Sequence, residues 1–288
     1  MLYRLLIKPV LLSLKKETAR NIILWTLTHA GKIPGMVRLA GLIYKKDAPG
    51  LRRRVFDMDF DSPIGMAAGF DRNGKAFNEL SALGFSFITI GPVSASPDKD
   101  GEGVRKTIDN IRRRKTRTIL ATELARSPHD SSESDIIRDF SVSFSLLYDF
   151  ADMFVVSVGG PDIDILPEIL DELISLRLCY ESYKPIIVKL TPEVDSVQFE
   201  GILHFSRLSG IDGILAETPQ FGKTLELVRN INISAEGSIP VIAGGDISDE
   251  SRAAELLQAG ASLIQIGPEM WEKGPGYVKR ILKKLINV

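Results

Sequence analysis

The stretch "PIGMAAGFDRNGKAFNELSALGFSFITIGPVS", residues 63–94, carries one strand–helix–strand unit. Its first apolar run, "IGMAA" (64–68), has strand length and no polar alternation. A helical pattern spans 75–83, and a second apolar run, "FITI" (87–90), follows. Working outward, the texture repeats. Further runs are "TILA" (118–121), "FVVSV" (154–158), "PIIVKL" (185–190), "GILA" (213–216), "PVIA" (240–243) and "LIQI" (263–266). Helical patterns occupy 134–150, 166–178, 197–208, 224–230, 249–259 and 277–285, and "GVRKTIDNIRRRK" is a weaker one in the second connection. Strands that alternate with helices pair in parallel, and wholly apolar strands are covered on both faces. Eight such units predict a single TIM (β/α)8 barrel over 49–288, behind an N-terminal amphipathic helical extension over 1–48. A doubly wound open sheet is the alternative.

Bulk properties exclude several classes of protein. Of the 288 residues, 44% are hydrophobic and 25% charged, which rules out a wholly disordered chain. A net charge of −1 gives no general attraction for nucleic acid. The basic run "RRRKTR" (112–117) has no interleaved aromatics and reads as a solvated face. His29, His129 and His204 lack metal-ligand spacing and read as surface or packing residues, so no metal is expected. The single Cys179 suits a reducing compartment and reads as a small buried hydrophobe. In the N-terminal segment, Leu5, Val10, Leu11 and Leu14 can share a helix face, and Ile22, Ile23, Trp25 and Leu27 mark a second apolar segment. The basic residues Arg4, Lys8, Lys15, Lys16 and Arg20 would suit an anionic membrane surface. Packing of these helices on the body of the protein is the favoured reading. The expected location is cytoplasmic, with peripheral contact on the inner face of a membrane as an option.

In a barrel, the residues that follow each strand line one mouth, where barrel enzymes keep their sites. Here they read "AAGFDRNG", "GPVSASP", "ATELARSP", "GGPDID", "TPEVD", "ETPQFGK", "GGDIS" and "GPEMWEKGP". Gly244 and Gly245 after the seventh strand and Gly267 after the eighth match the usual barrel phosphate site. Lys189 interrupts the fifth strand and should point inward, where an ammonium needs a negative partner. That partner is either a barrel carboxylate, such as Glu217, or an anionic ligand.

These residues resemble a known family. Residues 63–94 are similar to the first βαβ unit of dihydroorotate dehydrogenase of the membrane-associated, quinone-using class. "IPVIAGGDISDESRAAELLQAGASLIQIGPEMWEKGPGYVKRI" (239–281) is similar to its last unit. "KPIIVKLTPEVD" and "GIDGILAET" resemble the fifth and sixth strands in order. The likeness covers nearly all of the chain except residues 97–152. It implies an FMN flavoprotein oxidoreductase of pyrimidine biosynthesis. In that chemistry a serine or cysteine base takes a proton from dihydroorotate, flavin takes hydride, and quinone reoxidises the flavin. The resemblance assigns Ala67, Ala68 and Gly69 to the wall behind the flavin and Lys189 to its negative charge. It assigns Gly222 to the phosphate, beside Gly244, Gly245 and Gly267 at the barrel phosphate position, and the N-terminal helices to quinone access.

The chain departs from the family pattern at many positions. Arg72 stands for a lysine, Pro92 for a threonine, and Glu123 for the asparagine that touches flavin. Ser157 and Asp162 replace two asparagines, and Gly160 stands where the base belongs. Glu217–Thr218 replaces a threonine–asparagine pair, Asp246 a glycine, and Pro268 an N–H donor. The connection over 97–117 is shorter than the family's and lacks its substrate-binding asparagine. Donors are lost and carboxylates gained, with Arg72, Lys189 and Lys223 as the cations at hand. The residues expected to carry chemistry are Lys189, Arg72 and Asp162. Two readings follow: a dihydroorotate dehydrogenase-like enzyme with impaired or altered chemistry acting on a small molecule or anionic ligand, or a non-catalytic, flavin-free binding or regulatory paralogue.

Overall fold

Closure of the barrel follows from how the strands pair. The computed structural model describes residues 9, 13–97, 101–190, 201–202, 210–267 and 270–287. Two helices, α1 (Lys16–Gly31) and α2 (Met36–Tyr44), precede a hairpin of β1 (Arg53–Val55) and β2 (Met58–Phe60). The barrel then runs β3 (Ile64–Met66), α3 (Phe77–Ser81), β4 (Phe87–Val93), α4 (Gly103–Ile111), β5 (Ile119–Leu124), α5 (Glu133–Leu147), β6 (Met153–Ser157), α6 (Leu166–Arg177) and β7 (Ile186–Leu190). It continues with β8 (Gly213–Thr218), α7 (Phe221–Ser234), β9 (Val241–Gly245), α8 (Glu250–Gln258), β10 (Leu263–Ile266), α9 (Met270–Lys273) and α10 (Tyr277–Ile286). Strands β3 to β10 are parallel neighbours in chain order, and β10 pairs with β3 to close the ring. All eight expected strands are present, and the open-sheet alternative falls. The helix expected at 197–208 and the loop "TPEVD" lie outside the described residues, apart from 201–202.

Alternate residues of each strand point into the barrel. In its lower half Phe87, Ala121, Met153, Val155, Ile187 and Leu215 are each at most 1% exposed. The hairpin seals the floor beneath them, for Val55 and Phe60 join the same cluster and Phe60 meets Phe87 edge-on at 5.7 Å. Its turn residues, Phe56 and Asp57, both have positive φ, and Val55 pairs with Met58. That is a two-residue turn of the type that matches strand twist. The Phe87 ring leaves no room at Gly65, where an added Cβ would stand 2.2 Å from it. Gly65→Ala should therefore lower the unfolding free energy by about 1–3 kcal/mol, as read from urea denaturation.

The N-terminal helices divide between two environments. Ile23, Leu24 and Leu27 of α1 pack against the main core, whereas Ile22 and Trp25 face outward. On α2, Leu39, Leu42 and Ile43 are exposed, Leu42 at 76%. Packing on the body thus holds for one face of the pair. Leu5, Lys8, Val10 and Leu11 lie outside the described residues. No described helix is long and apolar enough to cross a membrane.

Two smaller expectations need correction. Cys179 is exposed, because it sits just past the end of α6 on its outward side, with Sγ 3.7 Å from the Ser175 carbonyl. Arg114, within the basic run, does not merely face solvent. It pairs with Asp152 at 2.6 Å, and Asp152 also accepts the Leu120 N–H, tying the end of the α4 connection to the feet of β5 and β6.

Candidate functional site: the polar mouth of the barrel

Above the apolar lower half, the inward positions turn polar. The strands offer Thr89, Glu123, Ser157, Lys189, Glu217 and Gln265, one step nearer the mouth than Phe87, Ala121, Val155, Ile187, Leu215 and Leu263. These side chains are bonded to one another. Lys189 Nζ lies 3.3 Å from Glu123 Oε1, 3.3 Å from Glu123 Oε2 and 3.3 Å from Glu217 Oε2. Gln265 Nε2 donates to Glu217 Oε2 at 3.1 Å, and Thr89 Oγ1 donates to Gln265 Oε1 at 3.2 Å. Ser157 hydrogen-bonds Glu123.

The two Glu123 oxygens share one side of the Lys189 ammonium and Glu217 takes another, so the cation is held between two carboxylates. Burial pushes the Glu123 carboxyl above its ordinary range, and the adjacent Lys189 charge opposes that rise. For Lys189, burial pulls the ammonium down, but the charges of Glu123 and Glu217 outweigh it and hold the group above the usual lysine range. The lysine is thereby fixed in its charged form. Glu217 also covers the adjoining strand: a Cβ on Gly244 would stand 3.2 Å from both its Cγ and its Cδ.

The other expected site residues lie around this network. Ala67 and Gly69 have their N–H groups bonded to the Ile266 and Gly91 carbonyls, while Ala68 lies between them in the loop after β3. The Gly69 carbonyl accepts Arg20 Nη1 from α1 at 3.1 Å. Arg20, Arg72, Asn73 and Lys75 line a cavity of about 270 Å³ between α1 and this loop, together with Glu17, Asp71 and Glu102. Asp71 accepts the N–H groups of Lys75 and Ala76, and burial lifts its carboxyl to about 6. Asp162 sits in the Gly160–Ile165 turn after β6 and is paired with Arg126 at 3.1 Å. Asp246 is paired with Arg252 of α8 at 2.5 Å. At the phosphate end, Gly222 lies in the first turn of α7, facing no nearby atom with its Cβ position, and Gly245 has a positive φ that suits glycine. Gly267 follows β10 as a buried residue, and Pro268 lies outside the described residues.

Comparison with known proteins finds relatives at low identity. A family model described as dihydroorotate dehydrogenase matches residues 221–288. The chain is 28% identical to the dihydroorotate dehydrogenase (quinone) of Christiangramia forsetii, over 99% of each chain. It is 26% identical to that of Nitrosospira multiformis, over 100% of this chain and 97% of the relative. The ligand-free DHODH of Eimeria tenella superposes with a TM-score of 0.81 at 18% identity, covering 95% of this chain and 94% of that one. The chain is thus similar over its whole length, at low identity, to dihydroorotate dehydrogenases.

This similarity raises the question of FMN, and the mouth answers it in two parts. At the phosphate end, Gly222 keeps open space in the first turn of α7, whereas a Cβ on Gly245 would meet the Thr218 carbonyl at 2.2 Å. The ring end does not fit. A flavin edge rich in carbonyl and imine acceptors needs donors, and here the Lys189 cation is paired with two carboxylates that would face those acceptors. The residues present therefore do not fit FMN as a family member with a free lysine would hold it.

Sequence reasoning found Lys189 and its Glu217 partner. Glu123 is the second arm of the clamp and not merely a lost amide, Arg20 reaches the Gly69 carbonyl rather than a membrane surface, and Gln265, Thr89 and Arg126 join the site as well. Thr89 and Gln265 were legible as polar residues within the otherwise apolar "FITI" and "LIQI". Arg20 and Arg126 gave no such signal, since their partners are set by tertiary packing.

Proposed function

We propose that this chain keeps the barrel of the flavin oxidoreductases of pyrimidine biosynthesis but has lost dihydroorotate oxidation, and acts as a flavin-free binding or regulatory barrel. The observation that carries this reading is the clamp on Lys189: its ammonium is held between the carboxylates of Glu123 and Glu217. Two features support it. Position 160 is glycine, so the turn after β6 offers no hydroxyl or thiol there to take a proton. Asp162, the other candidate base, is engaged by Arg126. An assay of dihydroorotate consumption with a quinone acceptor tests the loss of activity, and added FMN tests whether the barrel has merely shed its cofactor.

The cavity under α1 is the natural place for a small polar ligand, because three cations, Arg20, Arg72 and Lys75, and three carboxylates, Glu17, Asp71 and Glu102, line it. Its polar lining suits such a molecule better than a quinone ring.

The exposed apolar residues of α1 and α2 support peripheral contact with the inner face of a membrane. Trp25, Leu39, Leu42 and Ile43 face out beside Arg38, Lys45 and Lys46. Trp25→Glu with Leu42→Glu should weaken co-sedimentation with anionic vesicles by about 100-fold or more, given ~1.5–3 kcal/mol for each large apolar side chain buried. Unchanged binding would remove the membrane from the account.

A further inference from the structure

We infer that Glu217, with Glu123 behind it, is the determinant that excludes flavin from the barrel. This rests on the flavin-free reading above and names the residues that enforce it.

The two carboxylates differ in freedom. Glu123 is fully enclosed, with a side chain only 5% exposed, and is held by Lys189 and Ser157. The Glu217 side chain is 23% exposed and reaches the mouth itself. One of its oxygens, Oε2, receives both Lys189 and Gln265, which fixes the carboxylate across the mouth. Its Cγ and Cδ then lie against strand β9 at Gly244, where the absent side chain would otherwise leave an open floor. The protein's own carboxylate thus covers a glycine at the barrel phosphate position.

Charge works in the same direction as shape. The polar side chains of the network converge on two carboxylates: Ser157 bonds Glu123, Lys189 bridges both, and Gln265 donates to Glu217 while accepting from Thr89. A ring edge of carbonyl and imine acceptors would displace Lys189 from a carboxylate and face that carboxylate directly. Like polarity at such close range opposes binding. Removing Glu217 releases one lysine contact, takes one of the two side chains, Glu217 and Gln265, off Gly244 and removes one negative charge. Removing Glu123 as well removes the remaining lysine contacts.

The test uses the full chain and FMN itself. FMN is titrated into the wild type, Glu217→Gln, Glu217→Thr and the double variant Glu123→Asn/Glu217→Thr. Quenching of flavin fluorescence reports affinity, and the thermal midpoint with and without FMN reports that binding is to folded protein. The double variant should bind about 100-fold more tightly than the wild type, with both single variants between them. A cooperatively folded double variant that binds no more tightly than the wild type would overturn the inference and leave the flavin-free reading intact. Tight FMN binding by the wild type would overturn both. Should the double variant not fold, Glu217→Gln decides alone, since it keeps the shape and removes the charge. A gain in its affinity supports the inference, and no gain overturns it.

Discussion

Replacing Lys189 with methionine is expected to cost about 3–5 kcal/mol of unfolding free energy near pH 7, because it leaves Glu123 and Glu217 facing each other without their cation. Glu123 cannot turn to solvent, since its side chain is 5% exposed. The pH dependence gives this prediction a signature. Burial already raises the Glu123 carboxyl, and the lysine is the main influence that lowers it. Without the lysine, Glu123 holds its proton to still higher pH in the folded state. A group with a raised folded value gives stability that is full below its unfolded value and lost as pH rises through the folded one. The deficit of Lys189→Met relative to wild type should therefore shrink on acidification towards the ordinary glutamate range and widen at neutral pH. Comparison with wild type at each pH is essential, because Asp71, lifted to about 6, adds a dependence of the same sign to both proteins. Urea denaturation across that range reads the effect. A stability loss of only a few tenths of a kcal/mol at neutral pH would mean that the lysine waits for a ligand rather than holding the barrel together.

The second large effect concerns catalysis. Dihydroorotate should turn over with a quinone acceptor at least ~100- to 10,000-fold more slowly than in an enzyme with a serine or cysteine base, the range that a positioned general base supplies. Gly160→Ser should not restore activity. A hydroxyl at that position would supply a proton acceptor, but Lys189 would remain bound to Glu123 and Glu217. Steady-state consumption of dihydroorotate, with FMN added in excess, measures both proteins. Recovery of ordinary turnover on Gly160→Ser alone would place the whole defect at that one residue and contradict the part given to the clamp.

Much of the fold was legible because parallel barrel strands are covered on both faces and read as uninterrupted apolar runs. All eight were recognisable, including "PIIVKL" with its inward lysine. The floor hairpin was not. Val55, Phe56, Met58 and Phe60 alternate with Asp57 and Asp59 in part, but the turn uses Phe56 and Asp57 at positive φ instead of the usual Asn–Gly signal. The candidate site divides in the same way. Inward lysine and glutamate on successive strands allowed an ion pair to be expected, since strand parity fixes which residues face the barrel. The second carboxylate of the clamp depends on the lysine reaching β5 across β6, where Ser157 is its direct neighbour. Such a reach is set by barrel geometry rather than by any local pattern. In the sequence Asp162 and Asp246 stand as carboxylates gained around an anion site, with Asp162 also a candidate base. Arg126 and Arg252 pair with them, and those pairings depend on loop conformation and helix placement.

The visible absorption spectrum of the purified full chain tests the central claim most directly. The clamp of Glu123 and Glu217 on Lys189 predicts a colourless protein, with no flavin bands before or after dialysis against excess FMN. A yellow protein carrying one flavin per chain would contradict it.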